Sequence, residues 1–421
     1  MVTWDEMYEA MLVTRRNKRR SQDSVEFEIH WERKLMNLIE DINTRTVAPT
    51  AYTFVTEGNS REVFACEFAM RIIHHYIDIR LRPLLEDELT PFTYNNRVGF
   101  GPNEALKQVQ ENIRIVSHNY TRDAYIIQWD IEGYFPNAIQ DLVYDQLIDL
   151  ANRRYEGEDK EDLLYMIQIS VYSYPTHHCF RKSPLHYWDD VADAKSLFKK
   201  EDGIGGAIGH LIWQNAMNYY LNDLDHWIVE EMGIAYVRFV DDAVAVVENK
   251  EAALAFLMPE IRRRMTERGC TLHRRKFYCQ HYTKGVRFIG TYIKPAYRTY
   301  LNNRVITHAY GRLKFFNNLS NRAKEQTVES FLSSINSYIG LLKVRSEFNN
   351  IKQLVASISP AWFKYVHMNW DKVCLNANPG YTHVELLAKK TNYKIKPKSK
   401  HKGNGARKNS RRQKRKQKTS T

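Results

Sequence analysis

The sequence predicts an α+β fold, a sheet-bearing centre between helical ends, on three observations. Two apolar, β-prone runs stand in the middle of the chain, Ala124 to Trp129 and Tyr236 to Val247, with residue types that suit a pleated surface. Toward the N-terminus Trp4, Met7, Tyr8 and Met11, then Phe27, Trp31, Leu35 and Leu38, recur at helical spacing. Toward the C-terminus Leu332, Ile335, Tyr338, Ile339 and Leu342 do the same. Strand-like and helix-like stretches alternate in the centre, which suits a sheet with helices on one face.

Taken in order, residues 1–48 read as a helical region whose aromatic rings belong to a core. Residues 49–122 form the next segment, continued by part of residues 147–202. Within that part the charged stretch Glu156 to Asp162 and the aromatic SVYSYPTHHCF carry no clear period. Residues 123–146 and 203–299 hold the sheet, residues 300–387 turn helical, and residues 388–421 form a tail. The tail holds 15 Lys or Arg from Lys389 onward and no Asp or Glu, whereas the net charge of the whole chain is +13. The body is therefore close to neutral. Such a tail, almost without apolar residues, is expected to be disordered when free and to bind phosphate backbone in a salt-dependent way. A second basic cluster, Arg15-Arg16-Asn17-Lys18-Arg19-Arg20, is either an RNA grip or a solvated helix face.

The chemistry concentrates in YVRFVDDAVAVV, where Asp241 and Asp242 link two β-prone runs as the tip of a tight hairpin. Adjacent carboxylates repel, and a divalent metal is the usual compensation. A lone Asp-Asp pair is more often an exposed turn, but Asp130 closes a buried strand some way upstream, and Gly133 then permits a turn. Three carboxylates around Mg²⁺ (or Mn²⁺) make a clamp for in-line nucleotidyl transfer. Phe135 offers a ring that would pack on a sugar and clash with a 2′ hydroxyl.

Asp130 with Phe135, followed by FVDD (Phe239 to Asp242), resembles the palm motifs of reverse transcriptases, and the likeness runs collinearly from Trp4 to Leu342. REVFACEFAMRIIHHYI resembles the fingers segment, with Arg61 and Arg71 at the triphosphate or template contacts. FTYNNRVGFGPNEA resembles the next block. GIGGAIGHLIWQNAMNYYLNDLD resembles the loop and helix that hold the template-pairing position, through Gly209, Trp213 and Gln214. CTLHRRKFYC resembles the following motif, whose lysine is Lys276. GVRFIGTYI resembles the primer-grip hairpin, through Phe288, Ile289 and Gly290, and INSYIGLLK resembles a thumb helix. The resemblance implies a right-hand polymerase with fingers, a ferredoxin-like palm and a helical thumb. It implies that Asp130 and Asp241 ligate two metals while Asp242 tunes the site. Gly133, Tyr134 and Phe135 would meet the nucleotide, and Lys276 would be either a general acid or a phosphate contact. Ile208-Gly209 and Gln214 resemble the diversity-generating retroelement enzymes and the unassigned, phage-defence reverse transcriptases of bacteria. Trp213 stands where both place a serine, and it tilts the reading toward the defence relatives.

The implied activity is RNA-directed DNA synthesis from dNTPs. The implied partners are an RNA template or noncoding RNA, the DNA product, and either a second protein or further copies of the chain. Synthesis without an external template is an alternative if Trp213 fills template space; a non-catalytic RNA-binding scaffold is another. Nucleotide cyclases also place acids on a hairpin, but lack the flanking motifs. No second acidic cluster resembles an RNase H domain. Five cysteines are scattered without a CxxC pair, which argues against a disulfide framework or zinc ribbon. His177-His178-Cys179 offers metal-ligand types without a matching pair. No apolar run reaches the roughly 18 residues of a membrane span, and no leader pattern is evident, so a cytoplasmic location is expected.

Overall fold

The computed structural model describes residues 1–16, 22–49, 51–56, 60–177, 179–318 and 327–381. The tail at 388–421, residues 17–20 of the N-terminal basic cluster, His178 and the last residues of the expected thumb lie outside them. The chain divides into two compact units, Met1–Tyr300 and Leu301–Thr421.

The first unit opens with helices α1 (Trp4–Arg15), α2 (Gln22–Glu28) and α3 (Trp31–Asn43). A capping box starts α1: the Thr3 hydroxyl accepts from the Glu6 amide, and the Glu6 carboxylate accepts from the Thr3 amide. The rings of Trp4, Tyr8 and Trp31 meet at 5.3–6.5 Å and pack on the main core. Strands β1 (Ala51–Thr56) and β2 (Arg61–Cys66) follow as an antiparallel pair, then the long helix α4 (Phe68–Glu88) and α5 (Pro102–Val116).

The central sheet comprises β3 (Tyr125–Glu132), β5 (Ala235–Phe239), β6 (Asp242–Val247), and two short strands, β7 (Thr271–Leu272) and β8 (Tyr278–His281). Helices α6 (Gln140–Arg154), α7 (Lys160–Val171), α8 (Leu211–Tyr219) and α9 (Asn222–His226) lie between β3 and β5 in sequence. So does β4 (Cys179–Arg181), which pairs in parallel with β1. A single turn, α10 (Lys250–Ala252), and α11 (Met258–Glu267) lead from β6 to β7. The order is β5-β6-β3, with β7 and β8 sharing the far side of β3, every pair antiparallel. This is the split βαβ arrangement of a ferredoxin-like sheet.

Helices cover both faces of that sheet, not one. Ile127, Trp129, Ala243 and Ala245 point into the main core with α4, α6 and α8. The alternate residues Ile126, Val237, Val244 and Val246 point into a second core with Leu106 and Val109 of α5. The expectation of one covered face underrated α5, whose apolar stripe closes the other. A hairpin of β9 (Val286–Phe288) and β10 (Thr291–Lys294), with β11 (Arg298–Leu301) beside it, completes this side through Val286, Phe288 and Ile293.

The second unit holds α12 (Asn303–Asn317), α13 (Val328–Val344) and α14 (Phe348–Ala356) around its own core of Leu313, Phe316, Phe331, Ile335 and Ile339. The helical expectation for this region missed a hairpin of β12 (Val366–Asn369) and β13 (Cys374–Ala377). Its four-residue strands are too short to show a period of two. Among the described residues no helix is long and apolar enough to cross a membrane.

Candidate active site

Strand register brings the acids together. Asp130, near the end of β3, lies directly opposite Asp242, the first residue of β6, so both side chains project from one face of the sheet. Asp241 precedes it in the hairpin turn, and its carbonyl accepts from the Ile131 amide at 3.0 Å. The hairpin link is Val240-Asp241, not Asp241-Asp242: Phe239 pairs with Asp242 across it. The register is one residue earlier than expected because Asp242 is held in the ladder opposite Asp130. Val240 adopts φ +60°, a strained choice for a β-branched residue, and its carbonyl accepts from the Arg238 guanidinium at 3.2 Å.

The cluster is short of positive charge. Burial, then the neighbouring Asp130, pushes the Asp241 carboxyl above the usual range. Burial also pushes Asp242 upward, reinforced by the charges of Asp241 and Asp130 and by a hydrogen bond with Asp130. Lys276 offsets this in part: its Nζ donates to Asp130 Oδ2 at 2.7 Å. Burial opposes the ammonium, but Asp130 outweighs it and the lysine pKa rises. Arg61, the first residue of β2, adds a favourable charge toward Asp241. The backbone around Lys276 is pinned to the same strand, since the His273 amide donates to the Asp130 carbonyl at 2.8 Å. Three oxygen-donor side chains, desolvated and under-neutralised, fit a hard divalent cation.

The turn after β3 lies against a glycine-rich loop. Gly133 has φ +58°, and a Cβ there would come within 3.0 Å of both Asn137 and the Ala194 carbonyl. Tyr134 is core: its hydroxyl donates to the Met217 carbonyl at 2.6 Å, so only its backbone is available to a ligand. Phe135 is half-buried, edge-on to Tyr134, and its carbonyl accepts from the Gly206 amide at 2.8 Å. Gly209, at φ +110°, lies so close to β2 that a Cβ would sit 2.4 Å from the Phe64 carbonyl oxygen. Gln214 is half-buried on the first turn of α8, its amide on the His210 carbonyl.

Trp213 and Phe288 are buried, contrary to an expected open contact, and Arg71 has partners of its own. Trp213 does not face a template groove; it is 1% exposed, and Gly206 lacks the Cβ that would strike its ring at 2.2 Å. Its place on α8 beside Ile212, Ala216 and Met217 turns it into the core. Arg71 is ion-paired with Asp23 of α2, and its Nε donates to the Cys66 carbonyl at 2.9 Å. Phe288 is buried on β9, while Arg287 and the tip residue Gly290 are exposed; Ile289 and Gly290 both have positive φ. Outside the site, His177 is 3.0 Å from Asp202 and Cys179 lies in β4. Arg15 pairs with Glu28 at 2.7 Å.

Sequence reasoning missed a supporting pair on the other face of the hairpin. Arg238 of β5 and Asp225 of α9 are both fully buried; Arg238 Nε donates to the two Asp225 oxygens at 2.9 and 3.0 Å. Tyr236 and Thr93 hydroxyls donate to the same carboxylate at 3.0 and 3.1 Å. An arginine inside a run as apolar as YVRFV was the available signal, since such a charge requires a buried partner. Glu62 of β2 is a second missed anchor. It accepts from the Ser196 hydroxyl and the Leu197 amide, both at 2.6 Å, and so fixes the otherwise irregular segment beside Gly133.

No protein-family model matches the chain. No curated protein matches it either. Among solved structures, apo telomerase from Candida tropicalis is similar at a TM-score of 0.46 and 11% identity, over 78% of this chain and 62% of that one. Telomerase from Candida albicans in complex with a TWJ fragment of telomeric RNA gives a TM-score of 0.40 and 10% identity, over 79% and 62%. The chain thus spans about three-fifths of the length of these structures. A likeness this distant has no bearing on the chemistry; the geometry of the acids does.

Proposed function

We propose that this chain is a DNA polymerase of the reverse-transcriptase kind, joining dNTPs to a primer 3′ end by nucleotidyl transfer. The observation that carries the reading is the acid corner: Asp130 opposite Asp242, with Asp241 on the hairpin between β5 and β6, on a sheet of ferredoxin-like order. In this reading residues 123–146 and 203–299 are the palm, the β1–β2 pair and α4 belong to the fingers, and the second unit is the thumb.

Asp130 and Asp241 would hold the metals, with Asp242 adjusting the field beside them. Magnesium or manganese bound there would supply activation of the 3′ hydroxyl and charge neutralisation at the triphosphate. Arg61 lies near Asp241 and would bind triphosphate oxygens. Backbone amides of the Gly133–Phe135 turn would cradle the same anion. Lys276 is poised between a carboxylate and a substrate: a cation on Asp130 would release its ammonium toward phosphate. The half-buried Phe135 ring would exclude a 2′ hydroxyl.

The alternative of synthesis without an external template leaned on Trp213 occupying template space, and its burial removes that support. Templated synthesis is the reading retained, with RNA as template. Primer extension with dNTPs and Mg²⁺ on a defined RNA template tests it. Product whose sequence complements the template is expected. Absence of product, or equal product with the template omitted, would overturn it.

A further inference from the structure

Away from the acid corner, three buried side chains from separate segments converge. Cys66 ends β2, His74 lies on α4, and His210 precedes α8 at the end of the glycine-rich loop. Their candidate ligand atoms all lie within 4.8 Å of one another. Cys66 Sγ and His74 Nδ1 are 3.6 Å apart, and the two imidazole centroids 5.2 Å. A tetrahedral zinc with Zn–S of about 2.3 Å and Zn–N of about 2.0–2.1 Å holds sulfur and nitrogen about 3.6 Å apart. The 3.6 Å between Cys66 Sγ and His74 Nδ1 is the ligand-to-ligand spacing of such a site, and the third ligand atom lies within 4.8 Å of both.

The hydrogen-bond accounting is incomplete without a ligand. Neither ring nitrogen of His210 has a partner among the described residues, although the residue is 2% exposed. His74 is 1% exposed and its Nε2 is likewise unpartnered. Buried imidazole nitrogens normally find partners, and three of these four do not.

We infer that Cys66, His74 and His210 form a zinc site. One thiolate and two imidazoles suit a borderline-soft cation rather than magnesium. With three protein ligands, the fourth tetrahedral position falls to a ligand from outside the set. The ion would tie the end of β2 and the start of α4 to the loop that carries Gly209, where the Phe64 amide already donates to the Ile208 carbonyl at 2.7 Å. Sequence spacing could not reveal it, because each ligand comes from a different element. The inference does not depend on the polymerase reading.

The test is metal analysis of the purified full-length protein, with and without dialysis against zinc, beside its cobalt form. One zinc per chain is expected, lost in Cys66→Ser and in His210→Gln but kept in Cys374→Ser. The melting temperature should rise with zinc and fall with a chelator. Should the ligand variants fail to fold, the wild-type cobalt spectrum still decides, because thiolate ligation gives a sulfur-to-cobalt charge-transfer band. No zinc uptake by the wild type, zinc retained in all three variants, or a cobalt spectrum without that band would each overturn the inference.

Discussion

The two faces of the β5–β6 hairpin handle buried carboxylate in opposite ways. On one face Asp225 meets Arg238 and two hydroxyl donors, so its lone pairs are used within the protein. On the other, Asp130, Asp241 and Asp242 share one close ammonium, and burial pushes two of them toward the protonated form. The first arrangement needs nothing from outside. The second is a standing deficit of positive charge, kept in place by the first: Arg238 also donates to the Val240 carbonyl in the strained turn and to the Asn218 carbonyl at 2.7 Å. A closed ion pair thus braces the hairpin that carries the under-neutralised acids.

The sharpest way to break this comparison is to remove one acid from each face. Asp225→Ala leaves Arg238 buried and unpaired, and should cost about 3–5 kcal/mol of unfolding free energy, measured by denaturant titration. Asp242→Asn should stabilise the metal-free protein instead, because it removes like-charge repulsion. Equal losses at both positions would erase the distinction.

The pH dependence sharpens it. The folded state holds Asp241 and Asp242 protonated to higher pH than the unfolded chain does, so their contribution favours folding at acid pH. It is lost as pH rises from about 4, the ordinary aspartate value, through the raised one. Each unit of elevation corresponds to about 1.4 kcal/mol. The stability advantage of Asp242→Asn over wild type should therefore widen between about pH 4 and pH 8 and shrink when Mg²⁺ is added. A difference flat in pH would contradict the assignment.

A smaller effect is expected at Phe135. Replacing it by Ala should lower the preference for dNTPs over rNTPs by about 10–200-fold, the consequence of a steric difference worth about 1–3 kcal/mol. An unchanged ratio in competition assays would make the ring a packing residue only.

How much of this was legible in the sequence varies by element. The acids were readable because β-prone runs bracket them, and the antiparallel register then followed within one residue. Trp213 was misread because an indole at helical spacing gives no sign of which way its helix faces; only Gly206, seven residues earlier, hints at the ring it admits. The pairing of Arg71 was not readable because its partner Asp23 belongs to α2, remote in sequence. The segment from Asn152 to Asp202 resisted reading because α7 is its single long helix. The rest is held by side-chain anchors such as Glu62 to Ser196, which leave no periodic trace.

The most direct test of the acid corner compares Mg²⁺-dependent dNTP incorporation by the wild type and by Asp241→Ala with Asp242→Ala, on the same primer and RNA template. Melting curves recorded alongside confirm that both are folded. The double variant should lose activity by at least about 10²–10³-fold, the range for removing one preorganised electrostatic group, while binding nucleic acid as tightly as wild type. Full incorporation by a folded double variant would contradict the account.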